Sequence, residues 1–215
     1  MPAMTSHAAL MDQVYRRQRY IYDFTRKYYL FGRDRLIREL DIRPGQRLVE
    51  VGCGTARNLI AIARRYPDAR LFGLDASQEM LKTAAEAIER AGLSSRIVLA
   101  HGYAEALSPA MFAETEPFDI CVFSYSLSMI PQWKEALRSA SGTLSKTGFI
   151  HVVDFGDLTG LGSWGRAILL GWLRLFHVAP RAELLQAFEC GGKGTLCLLP
   201  GRYAFLLKGR PEDFL

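Results

Sequence analysis

From about Gln46 to Phe155, short apolar runs alternate with amphipathic stretches, and this rhythm predicts strand and helix in turn. Arg47 to Val51, Arg70 to Leu74, Arg96 to Ala100, Phe118 to Ser124 and Phe149 to Asp154 read as buried strands. Ala56 to Tyr66, Gln78 to Ala91 and Trp133 to Leu144 carry helical spacing between them. Pro44-Gly45 turns the chain into the first strand, while Pro67-Asp68, Ala91-Gly92 and Lys146-Thr147-Gly148 mark helix exits. Such alternation predicts an α/β fold with a Rossmann-like, doubly wound parallel sheet. Gly194 to Leu199 and Gly201 to Leu207 flank Pro200-Gly201 and read as a C-terminal antiparallel hairpin, which brings the sheet to seven strands.

Two segments fall outside this rhythm. Leu10 to Leu40 reads as helical, basic and rich in tyrosine. Leu161 to Val178 is nearly all apolar, with Trp164 and Trp172 and only Arg166, Arg174 and His177 strongly polar. The expected division is a helical N-terminal arm or cap over residues 1–40 and a main domain over 41–215, with an apolar insertion at 156–180. The insertion follows the fifth strand, where a lid would cover the carboxyl ends of the strands.

Composition narrows the class without changing this picture. A chain of 215 residues, 49% hydrophobic and 23% charged, suffices for one domain with a full core. Its 27 basic and 22 acidic residues leave a moderate +5, concentrated in Tyr15 to Tyr20 and Thr25 to Tyr29. That charge suits an anionic membrane surface or an acidic small molecule better than nucleic acid, for which no base-clamping motif is visible. Cys53, Cys121, Cys190 and Cys197 form no metal-binding spacing, so no metal is expected, and Cys53 and Cys121 read as small buried residues. Reduced thiols and the lack of a signal peptide point to the cytoplasm. No apolar run reaches the ~20 residues of a spanning helix.

The candidate chemistry lies in Arg47 to Asn58 together with Gly73-Leu74-Asp75. Gly52 and Gly54 remove Cβ atoms where the backbone bends and approaches a ligand. Asp75 ends the second strand, where a carboxylate accepts the hydroxyls of a ribose. A nicotinamide fingerprint has a third glycine and no acid just before the first. Here Glu50 precedes the loop and would repel a pyrophosphate, but it suits a cofactor with a cationic amino-acid end, or serves as a carboxylate that fixes the loop by accepting backbone amides.

These residues resemble the class I S-adenosylmethionine-dependent methyltransferases. Glu50-Val51-Gly52-Cys53-Gly54 matches their first motif, with Ala56 in place of the usual third glycine. Asp75 matches the ribose acid, and Ala76 to Leu81 is similar to a stretch whose methionine, here Met80, packs on the adenine. Their third motif falls on Gly102-Tyr103-Ala104, so Tyr103 stands where an acid is usual. Phe118 to Ser124 matches the fourth strand, and Leu144 to Phe149 a variant of the turn before the fifth. The resemblance implies S-adenosylmethionine as cofactor, held by Glu50, Gly52, Cys53, Gly54, Asp75, Ala76, Met80, Tyr103, Ala104 and Ser124.

The acceptor must be read from the outer segments. Tyr20 to Ile37, Trp172 to Arg181 and Gly201 to Leu206 resemble stretches of betaine-lipid N-methyltransferases, which methylate the amino group of diacylglyceryl-homoserine three times. That resemblance implies an amine held near Tyr22, Tyr28, Tyr29 and Asp154, with Arg26 or Arg33 on the substrate carboxylate and Tyr125 beside the substrate. It also implies a lipid headgroup as substrate, reached from the inner face of the membrane through the basic arm and residues 161–178. Tyrosines that merely pack the arm on the core, and a buried lid or an oligomer surface at 161–178, remain open. So do phosphatidylethanolamine N-methylation, quinone-type ring C-methylation, and a cofactor-binding partner subunit without catalysis.

Overall fold

The computed structural model describes residues 30–191 and 193–214. Strand β1 (Arg47–Val51) is buried along its whole length, as the centre of a parallel sheet requires, and it buries the charged Arg47 and Glu50 along with its apolar residues. It lies between β2 (Arg70–Asp75) and β4 (Phe118–Ser124), and β3 (Ile97–His101) adds beyond β2. On the other side β5 (Leu144–Phe155) pairs in parallel with β4, β7 (Ala204–Gly209) runs antiparallel to β5, and β6 (Thr195–Leu198) closes the edge. The order β3-β2-β1-β4-β5-β7-β6 is a seven-stranded, doubly wound sheet with a terminal antiparallel hairpin, as expected from the sequence.

Each strand feeds two apolar layers because neighbouring side chains point to opposite faces. Leu48, Leu71 and Val122 join one layer with Leu59 and Ile62 of helix α2 (Arg57–Arg65) and Ala84 and Ile88 of α3 (Gln78–Arg90). Val49, Phe72 and Cys121 join the other with Ala136, Leu137 and Ala140 of α4 (Trp133–Thr143). Ser77 caps α3, its hydroxyl accepting the Met80 N–H at 3.3 Å. Helix α1 (Arg33–Glu39) buries Leu36 and Ile37.

Three features depart from the expected elements. Strand β5 begins at Leu144, five residues before Phe149, and its register against β4 shifts between Phe118 and Ile120. That irregularity absorbs Ser145 to Gly148, which alone read as a turn. Helix α6 (Ala182–Glu189), absent from the sequence reading, buries Leu184, Leu185 and Phe188. The hairpin strands are shorter than expected because Pro200–Arg202 forms a tight turn, with Gly201 at φ 68°. The insertion contains α5 (Gly162–Arg174), and no helix among the described residues is long and apolar enough to cross a membrane. Most of the expected N-terminal arm, including Tyr22, Arg26, Tyr28 and Tyr29, lies outside the described residues.

Candidate active site

The loop between β1 and α2 takes a left-handed backbone three times, at Gly52 (φ 75°), Gly54 (φ 54°) and Ala56 (φ 61°). Gly52 is needed for space as well as for φ, since a Cβ there would lie 2.5 Å from Ser126 Cβ. Ala56 occupies the third position with a side chain and carries the local strain that glycine would avoid. The N–H groups of Gly52 and Cys53 both donate to Leu74 O, at 2.8 and 3.0 Å, tying the loop to the end of β2. Asp75 completes the tie. Its Oδ2 accepts the Gly54 N–H at 2.7 Å and its Oδ1 the Ser77 N–H at 2.9 Å.

Glu50 points beneath this loop from β1 and is almost wholly buried. Its Oε1 accepts a hydrogen bond from Asn58 Nδ2 at 2.7 Å. Glu50 Oε2 and Asn58 Oδ1 are both buried without a hydrogen-bond partner among the described residues. Burial pushes the Glu50 carboxyl up to about 8, opposed by the Asn58 hydrogen bond and the Arg33 charge. The unpartnered Asn58 Oδ1, and a Glu50 carboxyl that a neighbouring cation would ionise, favour a cationic donor as ligand at the root of the glycine loop.

A cavity of about 580 Å³ opens beside these groups, with Leu30, Arg33, Glu50, Gly54, Asn58 and Ser124 among its walls. Cys53 also lines it, and burial holds that thiol in its neutral form, well above the usual range. Asp75, Ala76 and Met80 are not among the cavity walls. Met80 is buried against Met129 and Phe176, so the chain just after α5 covers it. Ala104 is buried in a short turn that Tyr103 introduces, and His101 Nε2 lies 3.1 Å from Ala76 O.

Residues 48–148 match the family model described as a methyltransferase domain. This stretch is a methyltransferase domain. Its cofactor is S-adenosylmethionine, and the orphaned acceptors at Glu50 and Asn58 fit the cationic amino-acid end of that molecule. The chain is 28% identical over 131 residues to a demethylmenaquinone methyltransferase of Bacillus cytotoxicus, covering 60% of this chain and 53% of that protein. It is 29% identical over 167 residues to a ubiquinone/menaquinone biosynthesis C-methyltransferase of Syntrophotalea carbinolica, covering 74% and 65%. The chain thus spans between half and two thirds of the length of these relatives. Among solved structures, an S-adenosylmethionine-dependent methyltransferase from Aquifex aeolicus superposes with a TM-score of 0.62 at 14% identity, over 85% of this chain and 91% of that one. At that identity the likeness shows the fold alone.

The remaining candidates sit at the carboxyl edge of the methyltransferase sheet. Asp154 is buried, and both its oxygens accept backbone N–H groups, from Ser128 at 2.9 Å and Phe155 at 2.8 Å. Burial raises its carboxyl to about 6 despite those hydrogen bonds. Here it holds the loop between β4 and α4, which Arg181 grips from outside through Leu127 O at 2.9 Å and Ile130 O at 2.6 Å. Tyr125 is also buried, at φ 56°, and its hydroxyl donates to Phe31 O at 2.6 Å. Burial pushes that phenol far above its usual range. The structure therefore places Tyr125 as a brace for the chain leading into α1, where Arg33 lines the cavity. Ser124 lines the cavity too.

Asn58 was not singled out from sequence, although it closes the motif run. A polar residue in the first turn of a helix reads as solvated. The usable signal is its place among Leu59, Ile62 and Ala63 on the buried face of α2.

Proposed function

We propose that this chain is an S-adenosylmethionine-dependent methyltransferase that methylates a ring carbon of a lipophilic quinone-type acceptor. The observation that carries the acceptor is the similarity to quinone-pathway C-methyltransferases over as many as 167 residues, well past the 48–148 domain match. When bound, S-adenosylmethionine supplies an electrophilic methyl group to a nucleophilic acceptor atom. The chain's own residues do the positioning. Glu50 and Asn58 offer buried acceptors to a cationic group, Gly52 and Gly54 let the backbone come close, and Asp75 holds the loop through Gly54 and Ser77. Orientation and exclusion of water supply most of the acceleration in such a displacement. The apolar walls given by Leu30 and Ile60 suit both tasks.

The second reading is N-methylation of an aminolipid such as diacylglyceryl-homoserine. Arg33 on the cavity wall favours it, as a guanidinium within reach of an acceptor carboxylate. The two relatives described above are named for quinone methylation, which favours the ring reading over this one.

The purified chain, supplied with methyl-labelled S-adenosylmethionine, is offered a reduced demethylated naphthoquinone, diacylglyceryl-homoserine and phosphatidylethanolamine in separate vesicle reactions. Label on the quinone ring, located by mass spectrometry, is the expected result. Label only on an amino group overturns the ring reading in favour of the second one. Cofactor binding with no product on any acceptor overturns both.

A further inference from the structure

Helix α5 carries an apolar stripe that nothing in the described chain covers. Trp164 is 84% exposed, Ile168 and Leu175 are each 71% exposed, and Leu161 before the helix is 38% exposed. The spacing places these four along one helical face. The rest of the helix packs inward through Leu173, which is buried, and through the partly buried Leu169, Trp172 and Phe176. The helix is thus apolar on both sides, and the outer side faces solvent at a cost that a monomer in water would avoid.

Charge around the stripe selects the occupant. Between Asp157 and Glu183 the sequence has no acidic residue but has Arg166, Arg174, Arg181 and His177. Arg181 is turned inward onto Leu127 and Ile130, and Arg166 lies across the helix from Trp164 and Ile168 with its Nε donating to Asp157 O at 3.0 Å, while Arg174 is exposed beside the stripe. A second copy of this chain would bring Arg174 towards its own counterpart across a symmetric contact, without an acid on the helix to receive it. An anionic lipid surface meets both demands, since its acyl region takes the tryptophan and isoleucine while its phosphates take the Arg174 guanidinium. We infer that α5 seats this protein on an anionic membrane surface, with Trp164 and Ile168 below the headgroups and Arg174 among them. The inference stands on the exposed face and its charge, and it holds whichever acceptor is methylated.

The test uses the full chain with Trp133 and Trp172 replaced by phenylalanine, so that Trp164 alone reports. Vesicles of phosphatidylcholine alone, or of phosphatidylcholine with phosphatidylglycerol, are prepared with and without brominated acyl chains. A blue shift and bromine quenching of Trp164 on the anionic vesicles only is expected. In the natural-tryptophan chain, Trp164→Ser with Ile168→Ser should lower vesicle partitioning by roughly tenfold or more, given the apolar area withdrawn. Its affinity for S-adenosylmethionine should stay unchanged, which shows the variant folded. Binding that leaves Trp164 unquenched, or that survives the double substitution, overturns the inference and places the contact elsewhere. A concentration-dependent dimer without vesicle binding overturns it in favour of a second copy.

Discussion

Replacing Glu50 with glutamine tests the electrostatics of the site without any ligand. In the folded chain the carboxyl is raised to about 8 from an ordinary 4.5, chiefly by burial. Below the ordinary value both folded and unfolded chains hold the proton, and no penalty exists. Between the two values the unfolded chain releases its proton while the folded chain keeps it, so stability falls as pH rises, by about 1.4 kcal/mol per unit. Above the folded value the loss saturates. From about pH 6 to about pH 8 the wild-type chain should therefore lose about 2 kcal/mol through this group alone. Glutamine keeps an acceptor for Asn58 and has no proton to lose. The two melting temperatures should converge below about pH 4.5, and the excess of Glu50→Gln over the wild type should widen by about 4–8 °C between about pH 6 and about pH 8 for a domain of this size. Differential scanning fluorimetry across that range reads the gap directly, and other titrating groups cancel in the difference. A gap that stays constant with pH would refute the claim that burial governs this carboxyl.

Three further outcomes follow from the same geometry. Asp75→Ala removes the acceptor for the Gly54 and Ser77 N–H groups and should cost about 2–4 kcal/mol in urea unfolding, since each is a hydrogen bond to a charged group. It should also weaken S-adenosylmethionine binding more than about tenfold by calorimetry, as expected for lost charge-assisted contacts; unchanged affinity would remove Asp75 from the cofactor site. Gly52→Ala places a methyl 2.5 Å from Ser126 Cβ at φ 75° and should destabilise by about 2–4 kcal/mol, with a wild-type melting temperature as the contrary result. Tyr125→Phe loses only the hydrogen bond to Phe31 O and should cost about 1 kcal/mol. Faster proteolysis beside Phe31 should accompany that loss if Tyr125 acts as a brace.

The sheet was legible because its strands are apolar runs bounded by turn residues, and the glycine loop because backbone demands leave few residue choices. Other features depend on tertiary contacts that local pattern does not encode. Helix α6 spans only Ala182–Glu189 and shows its apolar face through three residues, too few to establish a period. The early start of β5 reflects pairing of Leu144 with Phe118 across a register shift. The partnership of Glu50 with Asn58 joins a strand to a helix across the loop, and only the bend at Gly52 and Gly54 brings them together. Tyr125 read as a substrate contact because it ends β4, but its left-handed backbone turns the ring towards Phe155, with centroids 4.8 Å apart.

The glycines after β5 settle how α5 can move. A Cβ on Gly156 would fall 2.1 Å from Arg202 O, and one on Gly160 would fall 2.7 Å from the Gly201 carbonyl carbon, so two backbones touch where side chains would part them. Arg202 fastens that seam by pairing with both Asp157 and Glu189. Beyond the far end of the helix, the Ala179 N–H donates to Ser128 O at 2.8 Å, on the loop that Asp154 holds. Fastened at both ends, α5 behaves as a fixed keel and not as a swinging gate. Whatever surface the keel meets sets the tilt of the whole sheet, and with it the direction from which an acceptor must enter the cavity.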